Sequence, residues 1–383
     1  LCKNIATIKM DVPIKFNLEE VKYDGVVEEE MLEFFKELEL HSLIKKFNKK
    51  TNIILEQLEY EIINDVFKLD KLLINDSYLV LETFNPYYHE AITLGFGLVN
   101  KFGNFFIPYD VVHQSLSMQM YLGDETIKKN VFNAKLMEVV LKRDGYDLKG
   151  VDFDLLLAAY ILNPNNTKED FRVVVSNFEY TDVSYKEEVY GKGAKYHIPE
   201  GIIYHMYGAK KAKAIELLKP LLQEELTTNN QLSLVQDIEL PLASILGEME
   251  FNGIYVDGGK LYELNEEVSE KIDTLTTQIY ELAGVEFNIA SPKQLGEVLF
   301  DHLQLPFAKK TKTGYSTSVD ILEKLVDHHP IIEAIMSYRT LTKLYSTYIV
   351  GLEQAIHEDG KTHTIYRQAF TSTGRLSSVE PNL

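Results

Sequence analysis

One cysteine, Cys2, stands among 383 residues, so no internal disulfide can form and a reducing, cytoplasmic setting is expected. Long apolar runs are missing as well. None approaches the roughly 18 residues needed to span a bilayer, and no basic, apolar, small-residue leader opens the sequence. No membrane partner is expected. Positive charge is scarce: 39 Lys and Arg against 58 Asp and Glu leave a net charge of −19. That balance argues against nonspecific coating of nucleic acid, yet it permits a local grip, because affinity follows the phosphates neutralised at the contact. Several catalytic signatures are also wanting. GKGAK (191 to 195) lacks the spacing and the trailing Ser/Thr of a phosphate loop. Asp327-His328-His329-Pro330 reads as a turn between helices, with no cysteine nearby to help hold zinc. No Ser–His–Asp or Cys–His arrangement follows from spacing.

What remains is an ordinary globular composition, 45% hydrophobic and 25% charged, over a length that calls for two or three domains. Residues 1 to 14, LCKNIATIKMDVPI, have no helical period and read as an extended leader. Between about 52 and 108, NIILEQL, SYLVLE, AITLGFGLV and FFIPYD are apolar, often β-branched or aromatic, and predict strands. Helical period follows in AKLMEVVLKR, DFDLLLAAYIL and AKKAKAIELLKPLLQEEL, which makes this half an α/β or α+β domain. Asp152 and Asp154 read as caps of the helix DLLLAAYIL rather than as a catalytic pair. The polar tract TTNNQ, 227 to 231, reads as a linker.

Beyond it the chain is helical. LVQDIELPLASILGEMEF is expected to kink at Pro241, and GKLYELNEEVSEKIDTLTTQIYELAG to stop at Gly284. SPKQLGEVLFDHL has Ser291 as its cap and Pro292 in its first position. PIIEAIMSYRTLTKLYSTYIVGLEQAI predicts a helix of about seven turns.

Two polar stretches carry the chemistry. TSTGRLSSVEPNL, 371 to 383, packs an arginine, five hydroxyls, a glycine and a proline into one run. Arg375 offers a planar fork of donors, and Thr371, Thr373, Ser377 and Ser378 can donate to phosphate or sugar oxygens. A turn in which the arginine ties down loop carbonyls is the competing reading. The window from Phe307 to Val319 contains no acidic residue and gathers Lys309, Lys310 and Lys312 with hydroxyls around Gly314. Such a loop can lie along a duplex backbone, or it is a solvated lysine turn. On the last long helix, Tyr338, Arg339, Thr342, Lys343 and Ser346 include neighbours at three- and four-residue spacing, a flank for a duplex or for solvent.

TxTGRLSSxxPNL resembles the segment that opens the palm of the bacterial family A DNA polymerases, the polymerase I family. EFNIASPKQLGEVLFDHLQLP (286 to 306) and KKTKTGYSTS (309 to 318) are similar to the thumb of those enzymes. With weaker similarity upstream, the resemblance covers essentially the whole chain. It implies an α/β, ribonuclease-H-like 3′–5′ exonuclease domain followed by a mostly helical thumb and the first palm segment. The implied divisions are 1–14, a residual linker from a 5′-nuclease domain; 15–226, exonuclease-like; 227–360, thumb; and 361–383, a truncated start of the palm.

The resemblance further implies a monomeric DNA-directed DNA polymerase of replication and repair, of which this part binds primer–template and performs no chemistry. The DNA contacts it implies are Lys309, Lys310, Lys312, Thr313, Tyr315, Ser316, Thr317, Arg339, Lys343, Thr373, Arg375 and Ser377. Arg375 would reach the minor groove near the primer end. Deoxynucleoside triphosphates and Mg2+ are expected only for the intact enzyme, because no palm or fingers catalytic residue of the family maps before Leu383. Two other classes compete: a stand-alone ribonuclease-H-like exonuclease and a noncatalytic DNA-binding protein.

Exonuclease chemistry of this type uses two metal ions about 4 Å apart, held by several carboxylates. The family's Asp-x-Glu strand motif corresponds here to Val80-Leu81-Glu82. Its helix aspartate corresponds to Met137, and its Tyr-x-x-x-Asp to Tyr207 and Lys211, a cation where a ligand belongs. The resemblance therefore implies a fold without its metal site and without proofreading. Glu82, the one retained carboxylate, is expected at a strand end facing solvent.

Overall fold

Three antiparallel strands followed by parallel ones set the frame of the first half. A computed structural model describes residues 58–383 apart from 166–167, 200–202, 307–309 and 312–313, together with a few isolated positions between 31 and 43. The expected leader at 1–14, and all of NIILEQL except Leu58, lie outside the described residues. Contacts divide the chain into Leu1–Gln57 and Leu58–Leu383. The elements that follow all belong to the second unit.

Its main sheet contains β1 (Glu61–Ile62), β2 (Ser77–Phe84), β3 (Ile92–Asn100), β4 (Gly103–Pro108), β5 (Lys129–Val131) and β6 (Val151–Asp154). Their spatial order is β1-β4-β3-β2-β5-β6. β4, β3 and β2 pair antiparallel through tight local connections, whereas β5 and β6 join parallel to β2 after helical crossovers. Alternation along β2 sends Leu79 and Leu81 into one core cluster and Val80 into another. The first cluster is closed by α1 (Val66–Asp70), α2 (Tyr109–Gln114), α3 (Leu116–Gly123) and α4 (Ala134–Arg143). The second is closed by α5 (Leu155–Leu162), α6 (Phe171–Ser176), α7 (Lys186–Tyr190) and α8 (Ile203–Thr228).

Where α8 crosses β3, the two backbones touch. A Cβ on Gly97 would lie 2.1 Å from the Gly208 carbonyl oxygen, so only glycine lets the helix settle this close. The predicted aspartate caps divide. Asp154 does cap α5, accepting from the Leu156 amide at 2.9 Å, and it also takes the Asn133 and Ala134 amides at the start of α4. Asp152 does not cap: it lies in β6 and pairs with Lys128 at 2.8 Å and Lys219 at 3.2 Å. The strand runs two residues further than the helix pattern indicated, which turns Asp152 outward. TTNNQ is likewise not a loose linker. Thr227 and Thr228 form the last turn of α8, their hydroxyls bonding the carbonyls four residues back, and left-handed Asn230 turns the corner.

A helical turn at Leu232–Leu234 and a wide turn at Val235–Glu239 lead into α9 (Leu240–Asn252). Pro241 sits in the first turn of α9, and the bend expected there takes the form of the wide turn before it. Then come β7 (Ile254–Tyr255) and α10 (Gly258–Ala283), the latter ended by left-handed Gly284. α11 (Pro292–Gly296), capped by Ser291, continues as a wide turn to His302. A hairpin follows, β8 (Lys310–Thr311) with β9 (Gly314–Tyr315), then α12 (Val319–Leu322) and α13 (Ile331–Lys343). α13 is prolonged through Leu344–Val350 to Gln354.

This excursion has its own core, including Ile279, Leu295, Leu299, Leu322, Ile331 and Ile335. β10 (Lys361–Thr362) pairs with β7, so the excursion leaves and returns at one place. β11 (Ile365–Arg367) then pairs with β12 (Ser377–Val379). Among the described residues no helix is long and apolar enough to cross a membrane.

Candidate functional site

Glu82 does not face solvent. It is 2% exposed, because β2 lies in the middle of the sheet and α8 covers it on this side. Gly208 makes room: a Cβ there would stand 3.1 Å from Glu82 Cγ. One carboxylate oxygen pairs with Lys211 Nζ, and the other accepts from the Tyr190 hydroxyl at 3.1 Å. The Lys211 ammonium lies 4.4 Å from the Tyr207 ring centroid and 5.6 Å from that of Phe171. Burial, with the charge of Glu82 beside it, pushes the Tyr190 phenol far up, so it stays a donor. The result is an internally neutralised ion pair in an aromatic shell.

Val80 joins the same core cluster as Tyr207. Met137 is fully buried in the other cluster, with Leu79 and Leu81. The structure thus brings Glu82, Tyr207 and Lys211 together and leaves Met137 in a different packing environment. Among the described residues, no group of three or more His, Cys, Asp or Glu is placed to hold a metal ion. Tyr190, 108 positions from Glu82, has no spacing signal by which sequence could have found it.

The lysine-rich loop is the β8–β9 hairpin, with Lys310 opposite Tyr315. Lys309, Lys312 and Thr313 lie outside the described residues, as does the side chain of Lys310. Three predicted DNA ligands turn inward instead. The Tyr315 hydroxyl donates to Asp301 at 2.7 Å and its ring packs 4.9 Å from Phe300. Thr317 is buried, and Arg339 donates to its carbonyl at 2.5 Å and to its hydroxyl at 3.0 Å. A hairpin of two-residue strands cannot hold itself, so these side chains anchor it to the helices below. Half-buried Ser316 lies within 3.4 Å of the Ser318 hydroxyl. Lys343 is exposed in the last turn of α13 and has no ion pair among the described residues.

The closing segment is strapped down along its length. The Tyr366 amide donates to Glu250 at 2.8 Å, and this buried carboxylate also takes Lys135 Nζ and the Tyr88 hydroxyl, both at 2.5 Å. Burial raises the Glu250 pKa while Lys135 opposes the rise. Arg367 pairs with Glu169 at 3.3 Å and stacks 3.6 Å over Phe370. Gln368 donates to the Glu239 carbonyl at 2.9 Å, and the Tyr160 hydroxyl to the Thr371 carbonyl at 2.8 Å.

After these ties the chain turns outward. Thr373 and Arg375 are exposed, Ser377 is half-buried in β12, and Ser378 is engaged by the Leu383 amide at 2.9 Å. Arg375 itself makes no side-chain hydrogen bond or ion pair among the described residues, so the reading in which it ties down loop carbonyls does not hold. Thr371 does that work, donating to the Arg375 carbonyl at 2.6 Å.

Residues 79–218, from β2 into α8, match the family described as DNA polymerase I, ribonuclease H-like domain. Residues 259–383, the helical excursion and the tail, match DNA polymerase family A. A ribonuclease-H-like exonuclease domain joined to a family A polymerase region is therefore the class that this fold defines. Over its full length the chain is 44% identical to DNA polymerase I of Geobacillus stearothermophilus and 42% identical to that of Bacillus subtilis (strain 168). A solved structure, the POL domain of Pol1 from M. smegmatis in complex with DNA primer-template and dNTP, is 28% identical with a TM-score of 0.72, over 85% of this chain and 55% of that one. The chain belongs to the bacterial DNA polymerase I family. It spans 44% of the length of those two curated relatives.

Proposed function

We propose that this chain is the exonuclease-like, thumb and palm-opening part of a template-directed DNA polymerase of replication and repair, monomeric and cytoplasmic, and that it grips primer–template duplex without itself performing chemistry. The observation that carries this reading is Arg375: an exposed guanidinium, without a side-chain partner among the described residues, on a turn whose backbone the Thr371 hydroxyl fixes. The similarity to a polymerase whose structure is named as a complex with primer-template and dNTP supports it. Arg375, with Thr373 and Ser377, would meet acceptors in the minor groove that all correct pairs share. Lys309, Lys310, Lys312 and Lys343 would supply the phosphate contacts. Tyr315, Thr317 and Arg339 act as struts of the hairpin. Mg2+ and deoxynucleoside triphosphates belong to the intact polymerase, whose metal-binding residues do not map onto this chain.

The exonuclease fold is read as catalytically silent. Its residues do not fit a pair of divalent ions, since Val80 and Met137 offer no oxygen ligand and Glu82 is already neutralised by Lys211. Fluorescence anisotropy on a labelled primer–template tests the grip. Lys309/Lys310/Lys312→Ala is expected to reduce the salt slope of binding by up to about three units, and Arg375→Ala to weaken binding about tenfold. Unchanged affinity and slope in both variants would refute the reading. Appreciable release of 3′ nucleotides by the purified chain in Mg2+ or Mn2+ would refute catalytic silence.

A further inference from the structure

The turn that carries Arg375 is tied down by a helix of the ribonuclease-H-like layer. Tyr160 lies on α5, 5% exposed, its ring held in the second core cluster. Its hydroxyl donates to the Thr371 carbonyl at 2.8 Å, the same oxygen that accepts the Gly374 amide at 3.4 Å. Burial, with the charge of Glu239 adding to it, raises the phenol's pKa, so it remains a protonated donor. The Thr371 carbonyl therefore closes the turn from its first residue to its fourth and ties it to α5. Gly374 adopts φ +73°, a left-handed conformation that glycine takes without strain. The Thr371 hydroxyl then donates to the Arg375 carbonyl at 2.6 Å, which fixes the backbone from which the guanidinium projects.

We propose that Tyr160 is a positioning residue for Arg375, so that the ribonuclease-H-like layer aims the arginine at the primer end. This rests on the reading of Arg375 as a DNA contact. A group projecting from a preorganised turn loses less freedom on binding than one on a loose tail, and that difference appears as affinity. It also gives this layer a part in recognition that needs no metal.

The test is a double-mutant cycle on the 383-residue chain, with affinity for a matched primer–template read by anisotropy and the melting temperature read in parallel. Tyr160→Phe removes one oxygen and keeps the ring; Thr371→Val removes the second link while keeping the shape. Each is expected to weaken binding about three- to tenfold, the range of one hydrogen bond. Neither should weaken it further once Arg375→Ala is present. If Arg375→Ala weakens binding while Tyr160→Phe and Thr371→Val do not, the inference is overturned and the DNA reading survives. Equal losses with and without Arg375 also overturn it, since a merely structural role would act in both backgrounds. If Arg375→Ala leaves binding unchanged, the DNA reading of the tail fails and the Tyr160 assignment falls with it.

Discussion

Lys211→Met isolates the buried Glu82–Lys211 ion pair of the ribonuclease-H-like layer. The substitution keeps a stem of similar length and removes the cation that, among the described residues, is in direct contact with Glu82, whose side chain is 3% exposed. What is left for the carboxylate is one neutral donor, the Tyr190 hydroxyl at 3.1 Å. Breaking one side of a buried pair costs about 3–5 kcal/mol, because the surviving charge is held out of water without its contacting counter-ion. Losing the cation above Tyr207 adds a smaller term, about 0.5–2 kcal/mol. Glu82→Gln in the same chain then removes the orphaned charge while keeping an acceptor for Tyr190. The double variant should return to within about 2 kcal/mol of the parent. Hydrogen exchange of the slowest β2 and α8 amides reads the stability of this layer locally, without requiring the whole chain to unfold in one step. A single variant that costs less than about 1 kcal/mol, or a double variant as unstable as the single, would show that the pair is not the buried, mutually dependent unit described here.

Gly97→Ala should be among the more damaging small substitutions, because its Cβ would meet the Gly208 carbonyl at 2.1 Å. A loss of about 1–3 kcal/mol or more is expected in chemical denaturation, and a neutral result would contradict the close crossing. Burial lowers the His89 pKa to about 4, with the Thr364 carbonyl opposing and the charges of His363, Lys135 and His357 adding to the fall. The unfolded chain, with a pKa near 6.5, takes up this proton first. Stability should therefore decline as pH drops from about 6.5 to about 4, by at most about 3 kcal/mol from this residue. His89→Asn should flatten that part of the melting-temperature profile, and an unchanged profile would count against it. Arg339→Ala should free both acceptors on Thr317 and speed amide exchange at 314–318, at a cost of about 1.5–3 kcal/mol. Arg339→Lys should not restore protection, since one ammonium cannot reproduce the two-pronged contact.

Features that depend on neighbours along the chain are legible in the sequence alone. The helix at 134–143, the stop at Gly284 and the cap at Ser291 all appear where period and capping chemistry place them. TSTGRLSSVEPNL and the two thumb stretches point to the polymerase I family for the same reason: their information is spacing within a dozen residues. TTNNQ shows the limit even of local reading, since threonine hydroxyls that bond back to the preceding turn let a polar tract continue a helix.

Only the tertiary structure decided which charges are inside and what each polar group is engaged with. Glu82 is buried because the sheet order makes β2 central and α8 crosses it at Gly208. Arg339 is a strut because α13 passes beneath the hairpin. Tyr160 reaches Thr371 across 211 positions of sequence. A side chain's period and neighbours along the chain indicate which way it points from its own element. They do not indicate which element stands opposite, and that choice separates a solvated charge from a buried pair and a loose tail from one tied down.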